Sequence, residues 1–428
     1  MEGSAKPFSQ HPNLPSTDSG AEHLPRQGIE PSRSQAQSTL AVPAPLGYTG
    51  DRMHAVVSKR DLTRILARCQ GVADKKSTMP VLGNVLVEAR KSGELALAAT
   101  DLYLAVSGSI PGQVDRPGSV AIGARDFFER VKMMPEGNIT LSMQGDGAVT
   151  MRAQGQPRRY TLKGLPGSEF PTVPQPGDGA VPMNLATSTI AELIAKTHFS
   201  IATDDTRPHL NSALFQWEGQ RVRMVTTDGH RLSKLEVIIP EREGSASMLI
   251  PLKGIQELKR LCDEATSEGV SSITVLQSGT SAFFRLPNLQ LSVKLVEVQF
   301  PPYSQVIPQS SQHRVVAPRA LLADALKAVS LAASERTGGI KLSLSNNVMT
   351  FASESPESGE GFDEVPVEYT GQALTVGFNA QYLLQVLNSI EQKDVVLGVS
   401  GELDPATLQP EGGPEGVEYL AVIMPMRI

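Results

Sequence analysis

Cysteine is nearly missing from this chain of 428 residues: only Cys69 and Cys262 are present. Both fall in apolar patterns of helical spacing, so they read as buried thiols. Two such residues cannot form a disulfide framework, and no zinc set can be assembled from them. No apolar run approaches the roughly 18 residues of a membrane span. The N-terminus also lacks the apolar core of an export signal, so a cytoplasmic location is expected. Neither sign of charge dominates, with 39 basic against 45 acidic residues and a net charge of −6. That balance argues against a uniformly basic nucleic-acid binder but allows a basic surface in one region. The motifs of catalysis are missing too. There is no phosphate loop ending in Gly-Lys-Ser/Thr, no dinucleotide fingerprint, no His-Glu-x-x-His and no Gly-x-Ser-x-Gly. Gly398-Val399-Ser400-Gly401 lacks the spacing of a nucleophile elbow, the seven histidines are scattered, and no carboxylate pair is singled out. No catalytic residue, metal or cofactor is therefore expected, and a binding or scaffold function is favoured over an enzyme.

What is present is ordinary globular composition, 40 % hydrophobic and 20 % charged. At about 150 residues per domain the length suits three domains. Residues 1–52 are rich in Pro, Ser, Gly and Gln and cannot bury enough apolar area to offset ordering entropy, so a disordered tail is expected. It reads equally as a genuine extension or as the product of an upstream start that is not used. From Met53 onward the sequence repeats itself. Ser58–Leu66, Ser188–Ile194 and Pro318–Leu326 each place a capping residue or an N1 proline before apolar residues at helical spacing. A second helix recurs at Ala124-Arg125-Asp126-Phe127-Phe128, Leu252-Lys253-Gly254-Ile255 and Ala380-Gln381-Tyr382-Leu383. Phe127 to Ile255 and Ile255 to Leu383 are both 128 residues. Ala99-Thr100-Asp101, Thr226-Thr227-Asp228 and Ala352-Ser353-Glu354 recur as strand ends, and Phe170-Pro171 returns as Phe300-Pro301. Short alternating runs such as Asn138–Met143 predict strands between the helices. Each repeat is thus α+β with two helices and several antiparallel strands, and tandem copies suggest a ring or arc.

Three features carry binding chemistry. Thr226-Thr227-Asp228-Gly229-His230-Arg231-Leu232 predicts a tight turn that holds a His-Arg pair near the surface. Val422–Ile428 is apolar with an internal proline. Proline cannot donate to a ladder, so this segment is expected to leave a sheet edge, and Met424 and Met426 suit an adaptable groove. The recurrent helices are rich in Lys and Arg. If they line one side of an arc, they can hold a phosphate backbone without reading its sequence. Taken alone, each feature also admits a bland reading: a solvated turn, a core strand and a solvated helix face.

With these motifs the chain resembles the bacterial sliding clamp family, the beta subunit of the replicative DNA polymerase III, from about Met53 to Ile428. The resemblance is carried by Met79-Pro80-Val81-Leu82-Gly83-Asn84, Arg207-Pro208-His209-Leu210-Asn211, Thr227-Asp228-Gly229-His230-Arg231-Leu232, Phe300-Pro301-Pro302-Tyr303, Gly377-Phe378-Asn379 and Met424-Pro425-Met426-Arg427. It implies an α+β fold of three tandem DNA-clamp domains, 53–178, 179–309 and 310–428, dimerising head to tail into a ring around duplex DNA. Tyr160 and Leu162 on one side and Leu331 on the other are implied at the dimer contact. Lys75, Lys76, Arg125, Arg207 and Lys253 are implied to face DNA. A groove for short linear motifs of polymerases and of the clamp loader is implied between domains 2 and 3. Its residues would be Leu210, Thr227, Gly229, His230, Arg231, Leu232, Pro301, Val306, Asn379, Tyr382, Val422, Met424, Pro425, Met426 and Arg427, with His230, Arg231 and Arg427 as polar rims. A peptide seated there is expected to bind at about micromolar strength, near −8 kcal/mol. The sequence departs from the pattern at Gln305, where some members carry Arg, and at Pro208-His209, where some have two tyrosines. Two alternatives stand beside a processivity clamp. One is a specialised or inhibitor-tolerant clamp copy serving repair polymerases; the other is a nuclease acting on DNA ends.

Overall fold

The structure, a computed structural model, describes residues 53–143, 147–240 and 244–427, so the tail expected over 1–52 lies outside them. Six helices are present among the described residues: α1 (Lys59–Val72), α2 (Ala124–Lys132), α3 (Thr187–Thr197), α4 (Leu252–Ser267), α5 (Arg319–Ser330) and α6 (Ala380–Ser389). They pack as pairs, α1 with α2, α3 with α4 and α5 with α6, one pair per repeat. The spacing of the second helix is met at its first residue each time, at Ala124, Leu252 and Ala380. Each helix turns one apolar stripe inward; on α1 this is Leu62, Ile65, Leu66, Cys69 and Val72. On α4, Gly254 is required by packing. A Cβ there would stand 2.7 Å from Val293 Cγ1 and 3.1 Å from Ile250 Cγ2.

The starts of the first helices differ in detail from the expected caps. Ser58 caps α1 by accepting from the Asp61 amide. Helix α3 begins one residue before Ser188, at Thr187, whose hydroxyl donates to the Val270 carbonyl at 2.7 Å. Pro318 sits at the N-cap of α5 rather than at N1. The strand His313–Pro318 runs its ladder through Pro318 opposite Asp394, so the chain is still extended there.

The described strands form sheets of twelve, eight and four strands, and every pairing is antiparallel. Two sheets cross from one repeat to the next. Strand Leu104–Arg116 of the first repeat pairs with Leu289–Lys294 of the second, Leu104 opposite Val293. Strand Arg231–Ile238 of the second pairs with Val417–Ile423 of the third, Arg231 opposite Ile423. The C-terminal run therefore does not lie on a sheet edge as expected. Val422 and Ile423 belong to an interior strand flanked by Arg231–Ile238 and Ala406–Pro410. Pro425 follows the last paired residue, so its missing N–H costs no ladder bond, and only Met424–Arg427 leaves the sheet. The cysteines are buried as expected, and burial pushes both thiols up to about 12.

Candidate functional site

The seam between the second and third repeats gathers most of the expected groove residues. Strand Arg221–Thr227 ends and Arg231–Ile238 begins around a three-residue turn. The Asp228 carboxylate makes this turn by accepting from the His230 amide at 2.9 Å and the Arg231 amide at 3.1 Å. Gly229 takes φ +92°, which a side chain would resist. The Thr227 hydroxyl donates to the Arg231 carbonyl at 2.6 Å and closes the base. His230 is left exposed, and its carbonyl accepts from the Met424 amide at 2.9 Å. Two residues on, the Met426 amide donates to the Gly377 carbonyl at 2.9 Å, so the terminal segment is fastened to both repeats.

The opposite wall is the start of α6. Asn379 caps that helix, accepting from the amides of Gln381 and Tyr382, and donates to the Thr337 carbonyl at 3.0 Å. Tyr382 stacks on His230, with ring centroids 6.5 Å apart and 23° between planes. Burial, helped by Asp228 and opposed by Arg231, pushes the Tyr382 hydroxyl above its ordinary value. Leu232 and Val422 face each other across the sheet at the floor. Phe300, Tyr303 and Ile307 of the connecting segment pack against them, while Val306 is 45 % exposed and Met424 38 %.

Arg231 is not a rim residue: only 8 % exposed, it is the bolt of the seam. Its Nε contacts Asp228 Oδ2 at 3.1 Å, its other nitrogens donate to Gln385 Oε1 and the Phe199 carbonyl, and its guanidinium lies 4.3 Å from the Tyr382 ring centroid. It ties the turn to α6 of the next repeat, leaving His230 and Arg427 as the exposed polar groups. Leu210 is buried in the loop ahead of strand Ser212–Glu218, where it bonds back to Arg207 and Ala202. Sequence reasoning missed Phe199 and Gln385 because each bonds to Arg231 through the fold alone. It left Asp228 unassigned, although Asp in a Thr-Asp-Gly turn is a recognisable Asx signal.

The seam between the first and second repeats has the same register but a different surface. The Lys294 amide donates to the Tyr103 carbonyl at 2.8 Å, as Met424 does to His230. Ala105 and Ser292 then occupy the places of Leu232 and Val422. The connecting segment lies over them, with the Pro174 carbonyl accepting from Gln290 at 3.4 Å and Ser292 at 3.5 Å. An apolar trough is thus available at one seam and covered by the chain's own backbone at the other.

The expected DNA-facing residues divide by pairing. Arg207 contacts Asp204 at 3.1 Å, and Lys253 pairs with Asp101. Among the described residues, Lys75, Lys76 and Arg125 are exposed and make no ion pair. Several further helix cations are spent across the first seam, where Arg64 meets Glu268 at 2.8 Å and Arg68 meets Glu264. Of the expected dimer residues, Leu331 is 82 % exposed, Tyr160 is partly buried and Leu162 is buried in the chain's own core. Among the described residues no group of three or more His, Cys, Asp or Glu is placed to hold a metal, and no helix is long and apolar enough to cross a membrane.

Comparison with known proteins places the chain. Three sequence families match it in order: the DNA polymerase III beta subunit N-terminal domain over residues 53–174, central domain over 184–302 and C-terminal domain over 304–427. The beta sliding clamp of Pseudomonas putida is 33 % identical over 378 residues, covering 88 % of this chain and all of the relative. A DNA polymerase sliding clamp from Pseudomonas aeruginosa, solved with a ligand, superimposes with a TM-score of 0.82 at 30 % identity, covering 88 % of this chain and all of that one. A sliding clamp of the same organism, solved bound to griselimycin, gives 0.80 at 30 % identity with the same coverage. The chain belongs to the DNA polymerase III beta subunit family, the beta sliding clamps, and is a DNA sliding clamp: a non-catalytic processivity factor.

Proposed function

We propose that the seam between the second and third repeats is the client site of this clamp. Replicative and repair polymerases and the clamp loader would place short linear motifs there. The observation that carries this reading is the convergence of three separate segments on one apolar floor: the Asp228–Leu232 turn, the Phe300–Ile307 connection and the Met424–Arg427 terminus. Leu232, Val422, Pro301 and Val306 would take apolar side chains, with His230, Asn379 and Arg427 at the edges. Two seated apolar side chains contribute roughly 3–6 kcal/mol, against which association entropy works. Peptide titration by calorimetry tests this. A Gln-Leu-x-Leu-Phe type peptide is expected to bind once per chain at about micromolar strength and to lose binding in a His230→Ala, Met426→Ala variant. No binding to the folded wild type would refute the reading.

The same chain, in domains 53–178, 179–309 and 310–428, is read as closing head to tail with a second copy around duplex DNA in the cytoplasm. Two free sheet edges support this. Among the described residues, the Arg159–Thr161 half of strand Arg159–Pro166 is paired on one side only, and strand Gly359–Pro366 pairs only with its neighbour Val348–Ser355. Open edges invite pairing, and these are complementary in charge: Arg158, Arg159 and Lys163 against Glu360, Asp363 and Glu364. Phe362 on the second edge is 69 % exposed, and Leu331 also stands free. Lys75, Lys76 and Arg125 would meet the phosphate backbone without base contacts, giving weak, salt-sensitive affinity. Residence would come from ring closure.

A further inference from the structure

The outward face of the second repeat's sheet carries an apolar row that runs across its strands. Leu249 faces Leu214, Leu214 faces Val225, and Leu232 faces Val422 in the antiparallel register. Phe300 packs onto this row from the connecting segment, with Val296 and Tyr303 beside it. On one side of Phe300 lies the proposed client groove. On the other, Leu214 and Leu249 floor a cavity of about 750 Å³, walled by the connecting segment and rimmed by Gln216, Ser247 and Gln277. That volume suits a short peptide segment or a small organic ligand. The rim offers amides and a hydroxyl, which satisfy an extended backbone.

Among the described residues, the cavity lining holds one cation, Arg223, and one anion, Glu297. Glu236, 4 % exposed, is met by Arg221, Lys234 and Arg223 at 2.6, 3.5 and 3.4 Å. Arg223, which lines the cavity, is already engaged: its Nε pairs with Glu236, it hydrogen-bonds the Tyr303 side chain, and the Glu218 charge acts on it as well.

We infer that this cavity seats the stretch of client chain that flanks the motif in the groove. It would place one apolar side chain on Leu214 and Leu249, with its backbone against Gln216, Ser247 and Gln277. The inference rests on the client-groove reading and extends it: the two sites share one wall, Phe300–Tyr303, and one apolar row, so a single peptide can run from one to the other.

Calorimetric titration of the full chain tests it with three peptides: the five-residue motif alone, and the motif extended at either end by six residues that include one Leu. One extended form is expected to bind about tenfold tighter than the short one, the net of burying one apolar side chain and ordering its segment. Ser247→Trp and Gln216→Trp, which fill the cavity mouth from facing strands, should each return that form to the short peptide's affinity, while the short peptide binds both variants as it binds the wild type. A short peptide that binds while neither extension adds affinity would overturn the second cavity and leave the groove standing. A gain that survives both variants would place the extension elsewhere and overturn it equally. Failure of all three peptides on folded wild type would remove the groove, and this inference with it.

Discussion

Replacing Arg231 with alanine separates two roles that sequence alone confuses, a polar contact for a client and a brace for the groove. The guanidinium is 8 % exposed and serves Asp228, Gln385, the Phe199 carbonyl and the Tyr382 ring. Its loss leaves the half-buried Asp228 carboxylate without its cation. Breaking such a pair costs about 3–5 kcal/mol, more than a surface pair by several-fold. The lost cation–π contact adds about 1 kcal/mol. Arg231→Ala should therefore lower unfolding stability by about 4–6 kcal/mol in a urea titration. It should also weaken motif-peptide binding, because the Tyr382–His230 stack loses its backing. Arg231→Lys keeps a charge for Asp228 but not the fork that reaches Gln385 and Phe199, so it should fall between. An Arg231→Ala protein with unchanged stability but abolished peptide binding would refute the bracing argument and make Arg231 a direct ligand.

Other expectations follow from the same structure. Phe362→Asp with Leu331→Asp should leave the single chain folded, since both side chains are exposed, and shift it from dimer to monomer in light scattering; an unaltered dimer would sink the proposed edge pairing. Cys69 and Cys262, buried with thiols pushed up to about 12, should not react with a thiol reagent at pH 8 until denaturant is added; rapid labelling of the native protein would contradict this. Burial alone would raise Glu236, but Lys234, Arg221 and Arg223 outweigh it and hold the carboxyl below its ordinary value of 4.5. A lowered folded value contributes stability that is present above the unfolded value and lost as pH falls through the folded one. Glu236→Gln should accordingly be less stable than wild type at pH 7, with the gap closing below about pH 4.5. A gap that stays constant to pH 3 would assign the loss to packing instead.

Helix positions were the most legible part of the fold, because the repeat supplied three independent readings of one pattern. Ala124, Leu252 and Ala380 start their helices in register with that repeat. The strand Asn138–Met143 also has the bounds its alternation predicts. Legibility failed where non-local pairing decides. Nothing local in Val422-Ile423 distinguishes an interior strand from an edge; its place follows from Arg231–Ile238 lying far away in sequence. Arg231 was misread for the same reason, since a His-Arg pair at a turn is usually solvated and only α6 of the next repeat buries this one. Why one seam opens a trough while the other does not was also beyond local reading. It depends on which residues sit opposite each other, Leu232 with Val422 or Ala105 with Ser292.

The account's central claim is retention by topology. The most direct measurement is retention of labelled protein, placed by its clamp loader on nicked circular DNA, before and after one restriction cut elsewhere in the circle. The account predicts stable retention on the circle through gel filtration and rapid loss once the DNA has ends. Equal retention on circular and linear DNA would contradict it and mean that the protein holds DNA by contacts rather than by encircling it.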